Sequence, residues 1–202
     1  MSARITPLRL EAFEQLPKHA RRCVFWEVDP STLPGEDHLA DPEFEKEAWL
    51  SMVMLEWGSC GQMAVACEPD QADFAASASS GDEACLGFAF YAPPRAVPRA
   101  ALFPTGPVSA DAVLLTTVGV EYGDDGDGLT RALMAAVVGD LVRRGVRALE
   151  AFGRTAETAE LADPQLISPD LRTAVQTLGD CSAEQFIIDA DFLSDEIGRA
   201  HV

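Results

Sequence analysis

The pattern of apolar and polar positions is most regular in residues 113–152, where a strand period is followed by a helix period and then by a strand period again. In residues 113–120 both alternating faces are largely apolar, which predicts a central strand of a parallel pair. Its two predicted faces carry Leu114, Thr116, Val118 and Val120 on one side, and Val113, Leu115 and Thr117 on the other. Because residues 146–152 predict a second strand, the segment is expected to form a strand–helix–strand unit with parallel strands.

The predicted helix of this unit follows a glycine-rich turn. Gly123, Gly126 and Gly128 allow the chain to turn sharply into the helix. Apolar residues then recur every four positions along one side of the helix, at Leu129, Leu133, Val137 and Leu141. Arg143 and Arg144 suit the negative end of the helix, and Gly145 ends it. The backbone amides at the start of such a helix, together with its dipole, form a site for an anion such as a pyrophosphate.

Four carboxylates surround this turn, at Glu121, Asp124, Asp125 and Asp127. Two like charges roughly 4 Å apart repel by about 1 kcal/mol in bulk water. A helix N-terminus contributes only about 0.3 to 1 kcal/mol toward an exposed anion. Carboxylates that faced a phosphate would therefore oppose binding, unless they point outward or a cation intervenes. In the alternative interpretation, Asp125 or Asp127 caps the helix and no ligand is required.

The segment resembles motif A of the GNAT acetyltransferase superfamily, in which a valine at the end of a strand leads through a Gln/Arg-x-x-Gly-x-Gly/Ala turn into a helix. Val120 matches that valine, and residues 128–130 (Gly-Leu-Thr) match the Gly-x-Gly/Ala element. Residues 133–134 (Leu-Met) match the leucine pair of the motif, and Gly145 matches the glycine that ends its helix.

The sequence departs from the family pattern at two places. In the alignment given above, the Gln/Arg position of the motif holds Asp125. If residues 126–128 are aligned with the Gly-x-Gly/Ala element instead, that position holds Gly123, and the matches at the leucine pair and at the helix-ending glycine are lost. Residues 183–198 resemble the fourth helix of the family but contain no tyrosine to protonate the thiolate of coenzyme A. Only four residues follow Gly198, so the C-terminal strands are expected to be incomplete. An uncovered edge on strand 146–152 then predicts a homodimer or a partner that lends a strand.

The order of the remaining predicted elements also resembles the GNAT order. The predicted strands are residues 7–10, 23–28, 62–67 and 85–91, and the predicted helices are residues 11–16 and 42–57. Residues at helical spacing on the second of these helices are Phe44, Ala48, Met52 and Leu55. Residues 68–84 predict a flexible loop within an antiparallel pair. The resemblance implies a single α/β domain over residues 1–202, with a GNAT-like mixed central sheet flanked by helices.

The resemblance also implies an acyl-CoA-dependent N-acyltransferase, with acetyl-CoA as donor and coenzyme A as product. The implied cofactor-binding residues are Val118, Val120, Gly126, Gly128, Leu129, Thr130 and Arg131. Glu121 or Glu150 would deprotonate a cationic amine of a small molecule or a protein. Glu150 lies in the second predicted strand, where burying a carboxylate costs free energy. The carboxylate is therefore expected either to pair with a cation, for example Arg154, or to act as a general base. The alternative hypothesis is a GNAT-derived binding or scaffold protein that has lost catalysis.

Composition narrows the choice of partners and compartment. The formal net charge of −18 disfavours nucleic acids and anionic membranes and favours cationic partners. No apolar run is long enough to span a bilayer, and the five cysteines lack CxxC spacing, which together predict a cytoplasmic protein. His19, His38 and His201 lack metal-ligand spacing, so no metal site is expected. Cys60, beside Ser59, resembles a nucleophilic cysteine, but a buried thiol is the favoured interpretation.

Overall fold

The computed structural model describes residues 2–29, 31, 41–67, 84–103, 106–121, 126–152, 187–188 and 197–201. These residues form a mixed sheet with helices on both faces, which confirms the predicted α/β class. The helices are α1 (Lys18–Arg22), α2 (Pro42–Trp57) and α3 (Gly126–Arg143), with 3-10 helices at Leu10–Gln15, Pro94–Ala96 and Pro98–Leu102. The predicted loop at residues 68–84 lies outside the described residues, apart from Ala84.

Within these ranges, the sheet has seven strands in the order β1-β2-β3-β4-β5-β7-β6. They are β1 (Ser2–Pro7), β2 (Gly61–Cys67), β3 (Cys85–Ala92), β4 (Ala112–Val120), β5 (Ala148–Phe152), β6 (Ile187–Ile188) and β7 (Ile197–His201). Neighbouring strands are antiparallel except β4 and β5, which are parallel. The predicted antiparallel pair and the predicted strand–helix–strand unit are therefore both confirmed.

Strand β4 is central, because its side chains enter two separate cores. Leu114 packs in the core between the sheet and helices α1 and α2. Leu115 packs in the core between the sheet and α3. The predicted apolar side of α3 is buried, since Leu133, Val137 and Leu141 have no exposed surface, and Val137 and Leu141 belong to the second core. Gly145 follows α3 with φ +71°, a conformation that favours glycine, as predicted for the residue that releases the chain into β5.

The alternation of side chains along β4 is interrupted by a bulge at Thr116. Phe90 on β3 pairs with Thr117, whereas the next residue, Tyr91, pairs with Leu115, so Thr116 is the extra residue. Val118 consequently packs on the α3 side of the sheet, opposite to Leu114. The predicted single face of four even-numbered residues is therefore wrong, because a bulge changes which face each later residue occupies.

Helix α2 begins and ends as predicted. The Asp41 side chain accepts hydrogen bonds from the amides of Glu43 and Phe44 at its start, and Gly58 has φ +100° at its end. The apolar residues at helical spacing do not form its buried face, however. Phe44, Met52 and Leu55 are among the exposed large apolar side chains, and the buried residues are Lys46, Trp49, Leu50 and Val53. The first residue of the buried face is a lysine, and a search for apolar residues at helical spacing does not include it.

The prediction of a strand at residues 23–28 is wrong. These residues follow α1 as a turn, and the Trp26 side chain enters the first core with 1% of its surface exposed. The composition is apolar because Trp26 and its neighbour Phe25 pack against that core from a loop. Apolar content alone does not distinguish a buried turn from a strand.

The expectation of an uncovered edge on β5 is also wrong. All five residues of β5 pair with β7, from Ala148 with His201 to Phe152 with Ile197. Residues 187–188, expected within a helix, form strand β6 beside β7. Counting only the residues after Gly198 missed this arrangement, because β7 begins before that glycine. The reason for expecting a homodimer or a lent strand at β5 is thereby removed.

Candidate active site

The two parallel strands pair over only three residues each, and we call the unpaired region between them beyond that stretch the cleft. The pairing of β4 with β5 begins at Ala112 with Ala148 and ends at Leu114 with Glu150. Strand β4 continues to Val120, paired with β3 on its other side as far as Gly87. Among the described residues, no strand pairs with β4 on the β5 side beyond Leu114. Apart from the Thr116 carbonyl, which accepts a hydrogen bond from the Trp26 indole, the backbone groups of β4 on that side have no strand partner in the part of the chain that the structure describes.

Helix α3 begins close to the open end of this cleft. Its 18 residues start at Gly126, shortly after β4 ends, so the positive end of its dipole lies near the carboxyl end of β4. Gly128 and Arg131 are exposed, and Leu129 and Thr130 are half-buried. The helix packs closely on the sheet, since a Cβ on Gly87 would lie 3.1 Å from a Leu133 methyl group. Asp124 and Asp125 lie outside the described residues.

Glu121 follows β4 directly and lies beside α1. Its amide donates to the carbonyl of Leu86 at 2.9 Å, which extends the pairing of β4 with β3 by one residue. Its carboxylate Oε1 is 3.3 Å from Nε2 of His19, and the two side chains are 21% and 66% exposed, respectively. The His19 ring also lies 5.8 Å from the ring of Phe88. The arrangement places a carboxylate and an imidazole together at the mouth of the cleft.

The sequence did not indicate His19, because its link to Glu121 spans about half of the chain. A histidine in a five-residue helix has no local spacing that distinguishes it from a surface residue. The two side chains meet only because α1 lies over the ends of β3 and β4.

Glu150 occupies a different environment from Glu121. It is 6% exposed, and its Oε2 accepts a hydrogen bond from the amide of Ser109 at 3.2 Å. Its Cα partner across the parallel pair is Leu114, seven positions before Glu121. At about 3.3 Å per residue, and allowing for the bulge, the backbone positions of Leu114 and Glu121 are about 20 Å apart along β4, so the two glutamates belong to different levels of the sheet. The possible partner Arg154 lies outside the described residues.

Cys60 is a buried thiol. It has no exposed surface, and desolvation raises its pKa to about 12. Burial likewise raises the pKa of Cys85 to about 11. A thiol that stays protonated at neutral pH is a poor nucleophile. This environment agrees with the interpretation of Cys60 as a core residue.

We therefore expect iodoacetamide at pH 8 to spare Cys60 and Cys85 in the folded protein while it alkylates the half-buried Cys23 and Cys67. Peptide mass spectrometry before and after unfolding in urea measures this directly. Because the folded pKa values exceed the ordinary thiol value of 9.0, these thiols stabilise the fold below that pH. That stability is lost as the pH rises toward the folded values. Alkylation of native Cys60 at the rate of Cys67 would contradict the assignment.

In the part of the chain that the structure describes, no three His, Cys, Asp or Glu side chains are grouped to hold a metal ion. Within the same residues, every helix is too short or too polar to cross a membrane.

No protein-family model matches this sequence, and no curated protein matches it. Solved structures are similar over nearly the whole chain. The PaiA N-acetyltransferase from Thermoplasma acidophilum, in complex with coenzyme A, is 14% identical, with a TM-score of 0.49 and coverage of 100% of both chains. Diaminobutyrate acetyltransferase from Paenibacillus lautus, in complex with L-2,4-diaminobutyric acid and coenzyme A, is 10% identical, with a TM-score of 0.48 and coverage of 99% of this chain and 95% of that chain.

A GNAT-family protein from Desulfovibrio desulfuricans is 19% identical, with a TM-score of 0.42 and coverage of 99% of this chain and 95% of that chain. The chain is thus similar, along nearly all of its length, to solved structures of acetyltransferases, one of them assigned to the GNAT family.

Proposed function

We propose that this protein is an acyl-CoA-dependent N-acyltransferase that uses acetyl-CoA as its donor. One observation carries the proposal: the open side of β4 leads to the N-terminus of α3. Acetyl-CoA is an extended thioester with a pyrophosphate toward its other end, so it can use both the unpaired side of the strand and the N-terminus of the helix. Its amide groups can pair with an unpaired strand, and its phosphates can accept hydrogen bonds from free helix amides.

In this proposal the backbone of Val118 and Val120 holds the thioester portion of the donor. The amides of residues 126–130, which include Gly128, Leu129 and Thr130, hold the pyrophosphate. Gly126 and Gly128 let phosphate approach the backbone because they carry no side chain. Arg131 is exposed in the second turn of α3 and supplies a positive charge on the same end of the helix.

Glu121 is the proposed proton acceptor. The acceptor arrives as an ammonium group and loses one proton to the Glu121 carboxylate, and its nitrogen lone pair then forms a bond to the thioester carbonyl carbon. When the carbon–sulfur bond breaks, the sulfur leaves with the bonding electrons as the thiolate of coenzyme A. The nitrogen gives up its second proton in the same step, and this proton passes through water to the thiolate, which leaves the neutral amide and the thiol of coenzyme A. Backbone amides of β4 stabilise the oxyanion that develops in this step.

His19 is the proposed route by which that proton leaves. Its side chain is more exposed than that of Glu121, at 66% against 21%, and the two groups are 3.3 Å apart. A proton taken by the inner carboxylate can therefore pass through the imidazole to solvent. Glu150 is less suited to this role, because it is buried beside the amide of Ser109.

A cationic amine is the proposed acceptor class, carried by a small molecule or a protein. The carboxylate at the cleft and the net charge of −18 both attract such a group. The same charge disfavours nucleic acids and anionic membranes as partners. Cytoplasmic acetyl-CoA would be the donor pool.

Coenzyme A is expected to bind with a Kd of micromolar order or lower and to raise the melting temperature. Calorimetric titration with coenzyme A and with desulfo-CoA tests this, since neither ligand requires a known acceptor. Gly128→Glu should weaken binding by more than about a hundredfold, because it places a side chain and a negative charge where phosphate must meet the backbone; the loss corresponds to about 2.7 kcal/mol.

Gly139→Glu is the matched control for that variant. Gly139 lies in the same helix, and among the described residues a Cβ there would contact only the Arg143 guanidinium, at 3.5 Å. The Gly139→Glu substitution makes the same change in charge and also removes a helical glycine, but it should leave the Kd for coenzyme A unchanged. A wild-type protein with no heat and no thermal shift at millimolar coenzyme A would exclude the acyltransferase and leave a scaffold role.

A further inference from the structure

The Trp26 side chain lies where the parallel strands β4 and β5 part, in contact with a residue of each. The register of β4 and β5, continued by two residues beyond Leu114 and Glu150, would place Thr116 opposite Phe152. The Trp26 indole donates from Nε1 to the carbonyl of Thr116 at 3.0 Å. Its ring stacks on the ring of Phe152, with centroids 5.0 Å apart and planes inclined by 27°. Trp26 therefore bridges the two strands at the level where their pairing has ended.

This indole is held from several directions. The Phe25 ring meets it edge-on at 4.9 Å, and the Phe103 ring lies 5.2 Å away. Phe103 in turn packs on Phe152, with ring centroids 4.6 Å apart. Only 1% of Trp26 is exposed. An indole with a satisfied N–H and three ring neighbours has little freedom to move aside for a ligand.

We infer that Trp26 sets the length of the acyl group that the cleft accepts and restricts the donor to short acyl thioesters. The inference rests on the proposed function. About 13 Å of open strand separates Thr116 from Val120 at about 3.3 Å per residue. A thioester held at Val118 and Val120 directs its acyl group toward Thr116, where the next atoms are those of Trp26 and Phe152. An acetyl group ends before this point, whereas a chain several methylene groups longer meets the indole.

The test is the binding of acetyl-CoA, butanoyl-CoA and hexanoyl-CoA to the full chain, measured by calorimetry. Wild-type protein should bind hexanoyl-CoA at least about tenfold more weakly than acetyl-CoA. Trp26→Leu should lower the ratio of the hexanoyl-CoA Kd to the acetyl-CoA Kd by about tenfold, because two more methylene groups then become buried. Trp26→Phe is a smaller change that keeps an aromatic ring, and it should lower the ratio of the butanoyl-CoA Kd to the acetyl-CoA Kd. This variant decides the question if the leucine variant does not fold.

Trp49→Leu is the matched control. Trp49 is 6% exposed in the same core, and its indole donates to a backbone carbonyl, that of Ala96, at 2.7 Å. Its loss costs comparable packing but should leave the ratio of the two Kd values unchanged.

Two results would overturn the inference: wild-type protein that binds hexanoyl-CoA as tightly as acetyl-CoA, or a ratio unchanged in the folded Trp26 variants. Failure of coenzyme A itself to bind would instead overturn the proposed function, and the inference with it.

Discussion

Replacing Glu121 with glutamine is expected to lower kcat for amine acetylation by about a hundredfold to a thousandfold. Glutamine keeps the size of the side chain but cannot accept the proton of an ammonium group. Affinity for desulfo-CoA should be unchanged, because Glu121 lies beside α1 and not among the helix amides proposed to bind the phosphates. The rate of thiol release from acetyl-CoA, with spermidine and a lysine-containing peptide as trial acceptors, measures the effect.

Glu56→Gln is the control for this substitution. Glu56 lies on α2, where it is 54% exposed and forms a surface ion pair with Arg95. It makes the same change in charge far from the cleft, and kcat should stay within about twofold of the wild-type value. If Glu121→Gln also stayed within that range, a group other than Glu121 would have to accept the proton.

The His19→Gln variant tests the route by which the proton leaves. We expect a smaller loss than in Glu121→Gln, because the Glu121 carboxylate is partly exposed and water can take its proton directly, although more slowly than through the imidazole. Added imidazole in the assay should restore part of the lost rate, as a small base can replace the missing side chain. A structural role for His19 would show no such recovery, so the rescue separates proton transfer from packing.

Replacing Lys46 with methionine is expected to destabilise the protein by about 3 to 5 kcal/mol. Lys46 and Glu27 form an ion pair in which the side chains are only 1% and 2% exposed. The Lys46 ammonium group also lies 4.6 Å from the centre of the Phe90 ring. Without the lysine, the Glu27 carboxylate remains buried, and its Oε2 already has no hydrogen-bond partner among the described residues. Unfolding in urea, followed by circular dichroism, measures the loss.

The double variant Lys46→Met with Glu27→Leu identifies the cause of that loss. Removing both charges leaves no uncompensated ion, so most of the stability should return. Arg95→Met provides the surface comparison. Its ion pair with Glu56 joins side chains that are 63% and 54% exposed, and its loss should cost less than about 1 kcal/mol. A double variant no more stable than Lys46→Met would show that the lysine acts through packing and not through its charge.

The sequence by itself determined the elements whose causes are local. Helix α2 could be bounded because Asp41 and Gly58 act on the backbone within a few residues of themselves. The strand–helix–strand unit from β4 to β5 could be predicted because its apolar period changes at a glycine-rich turn. The site residues predicted along this unit, from Val118 to Arg131, remain proposals, since their roles depend on a ligand.

Only the tertiary structure decided the features that depend on distant segments meeting. The bulge at Thr116 arises from pairing with β3 and reverses the face that each later residue of β4 occupies. Lys46 became a core residue because Glu27, 19 positions earlier, supplies the opposite charge. Strand β7 covers β5 although few residues follow Gly198, because pairing requires only a five-residue strand of matching length. His19 and Glu121 meet because a short helix lies over the end of a strand, and no local pattern encodes that contact.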